Sequence, residues 1–265
     1  MKYKLIAVDM DGTLLNDQCV ITPRTVAAIN KAVSRGVIFT ISTGRPIQGV
    51  EQYIEQLQLK APVITYNGAM IVSSDTGKTL FSKTIEPRDA LKILNCGLEL
   101  GVTMCIWANN QLYCNGLNER VKFYESISGV AAVAADDYAT LAESGITKIL
   151  WYDEVDVIAD IQQKLSKNSF EKVTFCTSRP YFLEFFHSEV SKADAMDKIG
   201  QLCGVKREEM IAVGDGFNDL PMIDYAGLGV AMANAPDEVQ KRADYVTQHS
   251  NNDDGIAEVI EKFVL

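Results

Sequence analysis

Short apolar runs, each ending in turn residues, set the pattern of the N-terminal part of the chain. Leu5-Ile6-Ala7-Val8 and Val37-Ile38-Phe39-Thr40-Ile41 lack the alternation of a half-exposed strand and predict strands buried on both faces. Between them Thr22 precedes Pro23, an N-cap followed by a proline at the first helical position, and the helix so opened reaches Ser34 and stops at Gly36. A second helix is expected to start at Pro46. After it come a strand over Pro62 to Tyr66, a hairpin signal at Asn67-Gly68, and short strands at Ala69 to Val72 and Thr79 to Lys83. A β-α-β-α opening predicts a parallel sheet with helical crossovers.

From about Ile85 to Glu189 the rhythm changes. A helical pattern over Pro87 to Leu100 precedes strands at Val102 to Trp107 and Gln111 to Cys114 and a helix near Asn118 to Ser126. A strand at Lys148 to Tyr152, a helix over Val155 to Leu165, and strands at Lys172 to Cys176 and Tyr181 to Phe186 follow. Strands joined by turns as short as Asn109-Asn110 imply an antiparallel sheet with helices on one face, an α+β unit of its own. Residues 85–189 therefore read as an inserted domain, and residues 1–84 and 190–265 as the two parts of the domain it interrupts.

The α/β alternation resumes at Ser191-Lys192-Ala193-Asp194, which has the form of a capping box opening a helix to about Cys203. Met210-Ile211-Ala212-Val213 is another buried strand. It ends at Gly214-Asp215-Gly216-Phe217-Asn218-Asp219, with Pro221 in the first turn of the next helix. Strands at Leu228 to Met232 and Tyr245-Val246, and helices near Pro236 and over Asp253 to Phe263, complete the sheet. Lys192 falls in a first helical turn, where the helix dipole disfavours a cation. Read alone, its long stem carries the ammonium out to water; read with its neighbours, it awaits an anionic partner.

Chemistry gathers at the strand ends. Side chains at i and i+2 leave an extended chain on the same side, so Asp9 and Asp11 face one space while that geometry lasts. Like charges held so close must share a proton, meet a cation, or hold different protonation states. Gly12 permits a backbone turn at once. Asp-x-Asp-Gly by itself also fits a solvated turn, but not a calcium loop, whose glycine and glutamate positions are occupied here by Leu14 and Val20. In a parallel sheet the carboxyl ends of the strands share one edge, so motifs distant in sequence can meet. Asp9, Asp11, Asp215 and Asp219 supply hard oxygen ligands or acid/base groups suited to Mg²⁺. Thr43 with the Gly44 amide, Lys192 and Asn218 supply donors suited to the oxygens of a phosphate.

Composition narrows the partners. A net charge of −10 with no Lys/Arg cluster argues against a nucleic-acid surface and leaves a small anionic substrate, held by local positive charge or a metal. The six cysteines form no C-x-x-C pair, which suggests reduced thiols, and two histidines are too few for a histidine-built metal site. No apolar run approaches the ~18 to 20 residues of a membrane span, so a cytoplasmic protein is expected.

Asp9-x-Asp11-Gly-Thr13, Thr43-Gly-Arg45-Pro, Lys192 and Gly214-Asp215-Gly-x-Asn218-Asp219 resemble the four signature motifs of the haloacid dehalogenase superfamily. With Asn67-Gly68-Ala69 and the large insertion, the chain is similar to the Cof-type, sugar-phosphatase-like subfamily, although Ala193 stands where members often carry glycine after the motif lysine. The resemblance implies an α/β fold, a Rossmann-like parallel-sheet core with an inserted α+β cap that closes over the site. It implies a Mg²⁺-dependent phosphatase for small phosphomonoesters, sugar or related metabolite phosphates, working through an aspartyl-phosphate. Asp9 would be the nucleophile and Asp11 the general acid and base. Mg²⁺ would be held by the Asp9 carboxylate, the Asp11 carbonyl and Asp215, with Asp219 as ligand or in the surrounding shell. Thr43, Gly44, Lys192 and Asn218 would hold the transferring group, and Arg45 is the first core residue to consider for substrate contact. A phosphomutase uses the same groups with another hydroxyl as acceptor. A dehalogenase would not need the acid Asp11, and a phosphate-binding regulator would not need all four motifs.

Overall fold

The computed structural model describes residues 2–165 and 170–265; part of the inserted segment, residues 166–169, lies outside the described residues. In chain order the first elements are β1 (Leu5–Val8), α1 (Pro23–Ser34), β2 (Ile38–Ile41), α2 (Glu51–Leu57), β3 (Val63–Thr65), β4 (Met70–Val72) and β5 (Thr79–Ser82). The middle of the chain holds α3 (Pro87–Leu100), β6 (Thr103–Ala108), β7 (Gln111–Cys114), α4 (Glu119–Ser128), β8 (Val133–Ala134), α5 (Tyr138–Glu143), β9 (Ile146–Tyr152), α6 (Val155–Lys164), β10 (Val173–Arg179) and β11 (Phe182–His187). The last part holds α7 (Lys192–Cys203), β12 (Met210–Gly214), α8 (Leu220–Tyr225), β13 (Leu228–Ala231), α9 (Asp237–Gln240), β14 (Tyr245–Val246) and α10 (Gly255–Phe263).

The chain divides into two compact units, one of Met1–Gly44, Val50–Phe81 and Ser191–Leu265, the other of Arg45–Gly49 and Ser82–Val190. In the first, five parallel strands run in the order β14-β13-β12-β1-β2. All four residues of β1 are buried, as its unbroken apolar run requires of a strand covered on both faces. A bridge between Ser42 and Ile64 carries the sheet on into the three-stranded β3-β4-β5. Because β1 lies between β12 and β2, with Val8 opposite both Val213 and Ile41, the ends of these three strands are level with one another. Thr22 caps α1 through its side-chain oxygen, which accepts the Thr25 N–H at 3.3 Å, and Ser191 caps α7 by accepting the Asp194 N–H at 3.1 Å.

The second unit is a six-stranded sheet in the order β10-β11-β9-β6-β7-β8, antiparallel except between β7 and β8. Met104, Ile106, Ile149, Trp151, Leu183 and Phe185 form its main core with residues of α3, α5 and α6. The expectation of helices on one face needs correction. Trp107 and Phe182 alternate with Ile106 and Leu183 and so point to the opposite face, where α4 packs against them. There Trp107 Nε1 donates to the Tyr124 hydroxyl at 2.9 Å, and the Tyr124 ring meets Phe182 edge-on. Neither β8 nor α5 is announced by the pattern of the sequence. One is a two-residue exposed strand and the other a six-residue helix started by Asp137, whose carboxylate accepts the Ala139 and Thr140 N–H groups; neither is long enough to show a period.

Candidate active site

The site grows from the end of β1. The Asp9 N–H continues the ladder by donating to Val213 O at 2.9 Å, after which the chain folds back, with Leu14 N–H on Asp9 O and Leu15 N–H on Met10 O. Gly12 makes this return possible. Its φ is +78°, and a Cβ there would lie 2.5 Å from Asp215 Oδ2, so the close approach of the two loops requires glycine. On the neighbouring strand, Gly214 leaves room in the same way for the Asp219 side chain.

Asp9, Asp215 and Asp219 each offer a carboxylate oxygen within 4.8 Å of the others. Lys192 enters from the first turn of α7 and is 1% exposed, so the expectation that its ammonium reaches water is wrong. Its Nζ lies 2.5 Å from Asp9 Oδ1 and 2.5 Å from Asp219 Oδ1. Two charge-assisted contacts outweigh the unfavourable dipole at the helix start. Burial alone would lower the Lys192 pKa, but the Asp219 and Asp9 carboxylates reverse this and raise it.

The three acids are not equivalent. Burial, then the charge of Asp219, hold the Asp9 carboxyl well above the usual carboxylate range, against the pull of Lys192. Burial pushes Asp215 up to about 6, opposed by the Thr13 hydroxyl, which donates to Asp215 Oδ1 at 2.7 Å. Asp219 spends both oxygens on protein donors, Oδ1 on Lys192 and Oδ2 on the N–H groups of Asp215 and Gly216 at 3.0 and 2.8 Å. Asp11 is exposed, and its charge is close enough to contribute to raising Asp215.

The remaining candidates fall into two groups. Thr43 is buried, donates its N–H to Ile64 O and leads into Gly44, and Asn218 is exposed with its Nδ2 on Asn67 Oδ1 at 3.1 Å. Arg45 lies in the second unit, where its Nη1 donates to Gly49 O at 3.2 Å. In the sequence Thr13 and Asn67 stand out only as motif or turn residues with no part in the chemistry, and Asn234 and Asn251 do not stand out at all. Asn234 donates to Gly12 O at 2.8 Å and accepts the Asn251 N–H, while Asn251 Nδ2 donates to Leu15 O. These two asparagines tie down the loop that carries Asp11. Asn234 stands just past the end of β13, and the strand-end rule could have found it.

Residues 6–260 match the family described as haloacid dehalogenase-like hydrolase. The chain belongs to that family. This hydrolase is 35% identical to "Putative phosphatase YxeH" of Bacillus subtilis, over 99% of either chain. It is 32% identical to the 5-amino-6-(5-phospho-D-ribitylamino)uracil phosphatase YcsE of the same organism, over 99% of this chain and 96% of the relative. Among solved structures it resembles a haloacid dehalogenase-like hydrolase from Bacteroides thetaiotaomicron, with a TM-score of 0.89, 28% identity, and 98% of this chain and 99% of the other covered. Among the described residues no helix is long and apolar enough to cross a membrane.

Proposed function

We propose that this hydrolase is a Mg²⁺-dependent phosphatase of small phosphomonoesters, sugar or related metabolite phosphates, working through an aspartyl-phosphate on Asp9. The observation that carries this reading is the constellation of buried Asp9, Lys192 and Asp219 with half-buried Asp215 at one sheet edge. Three carboxylates against one ammonium leave two negative charges, and the donors are hard oxygens, so the residues fit a divalent cation. Asp9 and Asp215, with the Asp11 carbonyl, would hold it. With both oxygens already engaged, Asp219 serves to position Lys192 and the Asp215 loop. When bound, Mg²⁺ supplies the positive charge that keeps these carboxylates ionised and lets an anionic nucleophile approach a phosphate.

The chain's own residues account for the proton and bond changes. An Asp9 carboxylate oxygen attacks phosphorus, the ester P–O bond breaks, and Asp11 gives its proton to the departing alkoxide. The Asp11 carboxylate then takes a proton from water, whose oxygen attacks phosphorus, releasing inorganic phosphate and restoring Asp9. Burial would keep Asp9 neutral without a metal cation beside it, so its role as nucleophile depends on the metal charge, whereas Asp11 is exposed, where a departing alkoxide and then water can reach it. Thr43, Gly44, Lys192 and Asn218 hold the phosphoryl oxygens. The unit of residues 82–190 acts as the cap and supplies contacts to the leaving group. A relative named for an ester of a ribityl hydroxyl supports polyol and sugar phosphates as the substrate class.

The test is a panel of phosphorylated metabolites assayed for free phosphate without an added acceptor, with and without EDTA, for wild type and Asp9→Asn. Expected are phosphate release by the wild type, loss on chelation with recovery on Mg²⁺, and no turnover by the folded variant. Near-normal turnover by Asp9→Asn would eliminate the covalent route; transfer only to an added hydroxyl compound would make the enzyme a mutase.

A further inference from the structure

The turn Tyr66-Asn67-Gly68 holds three successive residues at positive φ, 51°, 56° and 103°. Asparagine and glycine adopt that region readily, whereas a fully buried tyrosine does so only where its surroundings over-determine the backbone. Here those surroundings include atoms of every residue assigned above to the phosphate. The Asn67 N–H donates to Thr43 O at 2.9 Å. A Cβ on Gly44 would lie 3.1 Å from Asn67 Oδ1 and 3.2 Å from Nδ2, so the carboxamide rests directly on the Gly44 Cα. Asn218 Nδ2 donates to Asn67 Oδ1 at 3.1 Å. A Cβ on Gly68 would lie 2.2 Å from Ser191 O and 3.2 Å from Lys192 N, so the next residue seats the start of α7.

We infer that Asn67 is a positioning residue that sets the spacing of the Gly44 amide and the Asn218 side chain, so that both can meet one phosphoryl group. The inference rests on the phosphatase reading. An amide nitrogen carries two hydrogens, and Asn218 commits one of them to Asn67. The second is thereby aimed, and an exposed side chain that would otherwise sample several rotamers is held in one.

Asn67→Gly keeps the left-handed backbone at no steric cost while removing the carboxamide. Asn67→Asp keeps both the backbone and the oxygen that accepts from Asn218. Each is combined with Asn218→Ala, and binding of inorganic phosphate in the presence of Mg²⁺ is measured by calorimetry, with circular dichroism and melting as fold controls. Asn67→Gly is expected to weaken phosphate about tenfold and to lower kcat/KM for p-nitrophenyl phosphate by about 10- to 100-fold, the upper figure being the cost of a misplacement of about 1 Å. In the Asn67→Gly background Asn218→Ala should cost less than about twofold more, because Asn67 acts through Asn218. In the Asn67→Asp background it should cost its full wild-type factor. Equal cost of Asn218→Ala in both backgrounds, or unaltered phosphate affinity in Asn67→Gly, overturns the inference, as does a wild type that binds no phosphate. If Asn67→Gly does not fold, the Asn67→Asp background decides: loss of the Asn218→Ala effect there overturns it. A wild type that binds phosphate but releases none from p-nitrophenyl phosphate sinks the phosphatase reading and leaves this cycle to judge Asn67.

Discussion

Lys192→Met is the substitution whose cost can be worked most directly from the site. The ammonium sits 2.5 Å from each of two carboxylate oxygens and is buried with them. At an effective dielectric of ~20, each contact is worth about 7 kcal/mol of gross Coulomb energy, much of it consumed in desolvating the three charges. Removing the lysine forfeits the attraction and leaves both acids buried, a change that costs about 3–5 kcal/mol against a total stability of about 5–15 kcal/mol. Methionine keeps the length and fills the space. With a urea m-value of ~3 kcal/mol/M, the midpoint of metal-free protein should fall by about 1 to 2 M. The assay is urea unfolding in EDTA at pH 8, where proton uptake by the carboxyls gives least relief, followed by circular dichroism. Both tryptophans, Trp107 and Trp151, lie in the 82–190 unit, so their fluorescence reports that unit separately. Adding Asp219→Asn, which removes one stranded charge, should recover at least half of the loss. A cost under about 1 kcal/mol, the level of an exposed ion pair, would refute the reasoning.

Asp11→Ala should slow hydrolysis by roughly 10²- to 10⁴-fold for poor leaving groups and by less for p-nitrophenyl phosphate where the first step limits the rate; equal losses, with that step limiting, would remove Asp11 as the acid. Excising residues 85–189 should leave Mg²⁺ affinity nearly unchanged and flatten the ranking of sugar phosphates by kcat/KM, once the product is shown to melt cooperatively; a preserved ranking would place selectivity in the first unit. His187 is buried, accepts the Glu189 N–H on Nδ1 at 3.1 Å, and leaves Nε2 without a hydrogen-bond partner among the described residues. Burial first, then Lys83 and Lys172, hold its pKa below the usual value against Glu189 and Glu86. The unfolded chain therefore takes up the proton first, and stability is lost as pH falls from ~6.5 towards the folded pKa. His187→Asn keeps an acceptor and cannot titrate, so the stability difference between pH 7.5 and 5.5 should shrink; an unchanged difference would exclude this residue as a source.

What the chain reveals before folding depends on whether a feature is local. The strands β1 and β12 are legible because burial on two faces leaves no polar position within them, and the helix starts at Thr22 and Ser191 because capping is settled within four residues. Strand ends at one edge follow from parallel order, which made Asp9, Thr43 and Asp215 candidates without any tertiary knowledge. The short elements β8 and α5, and the packing of α4 on the far face, depend on neighbours that no local period announces.

The same distinction explains Lys192. Sequence shows the cost of a cation in a first helical turn but not what offsets it, because Asp9 and Asp219 are 183 and 27 positions away. An isolated lysine resolves that cost by reaching water; this one resolves it by entering the sheet edge, and the difference is decided by whether two acids are already fixed there. They are fixed by groups that carry no charge. Gly12 and Gly214 leave the space, Thr13 takes one oxygen of Asp215, and the Asp215 and Gly216 amides take one oxygen of Asp219. Their contribution is to stop three carboxylates from moving apart, as mutual repulsion would drive them to do. A site held open against its own charge in this way is pre-organised for a cation, and the restraint lies in the neutral groups within the motifs as much as in the acids themselves.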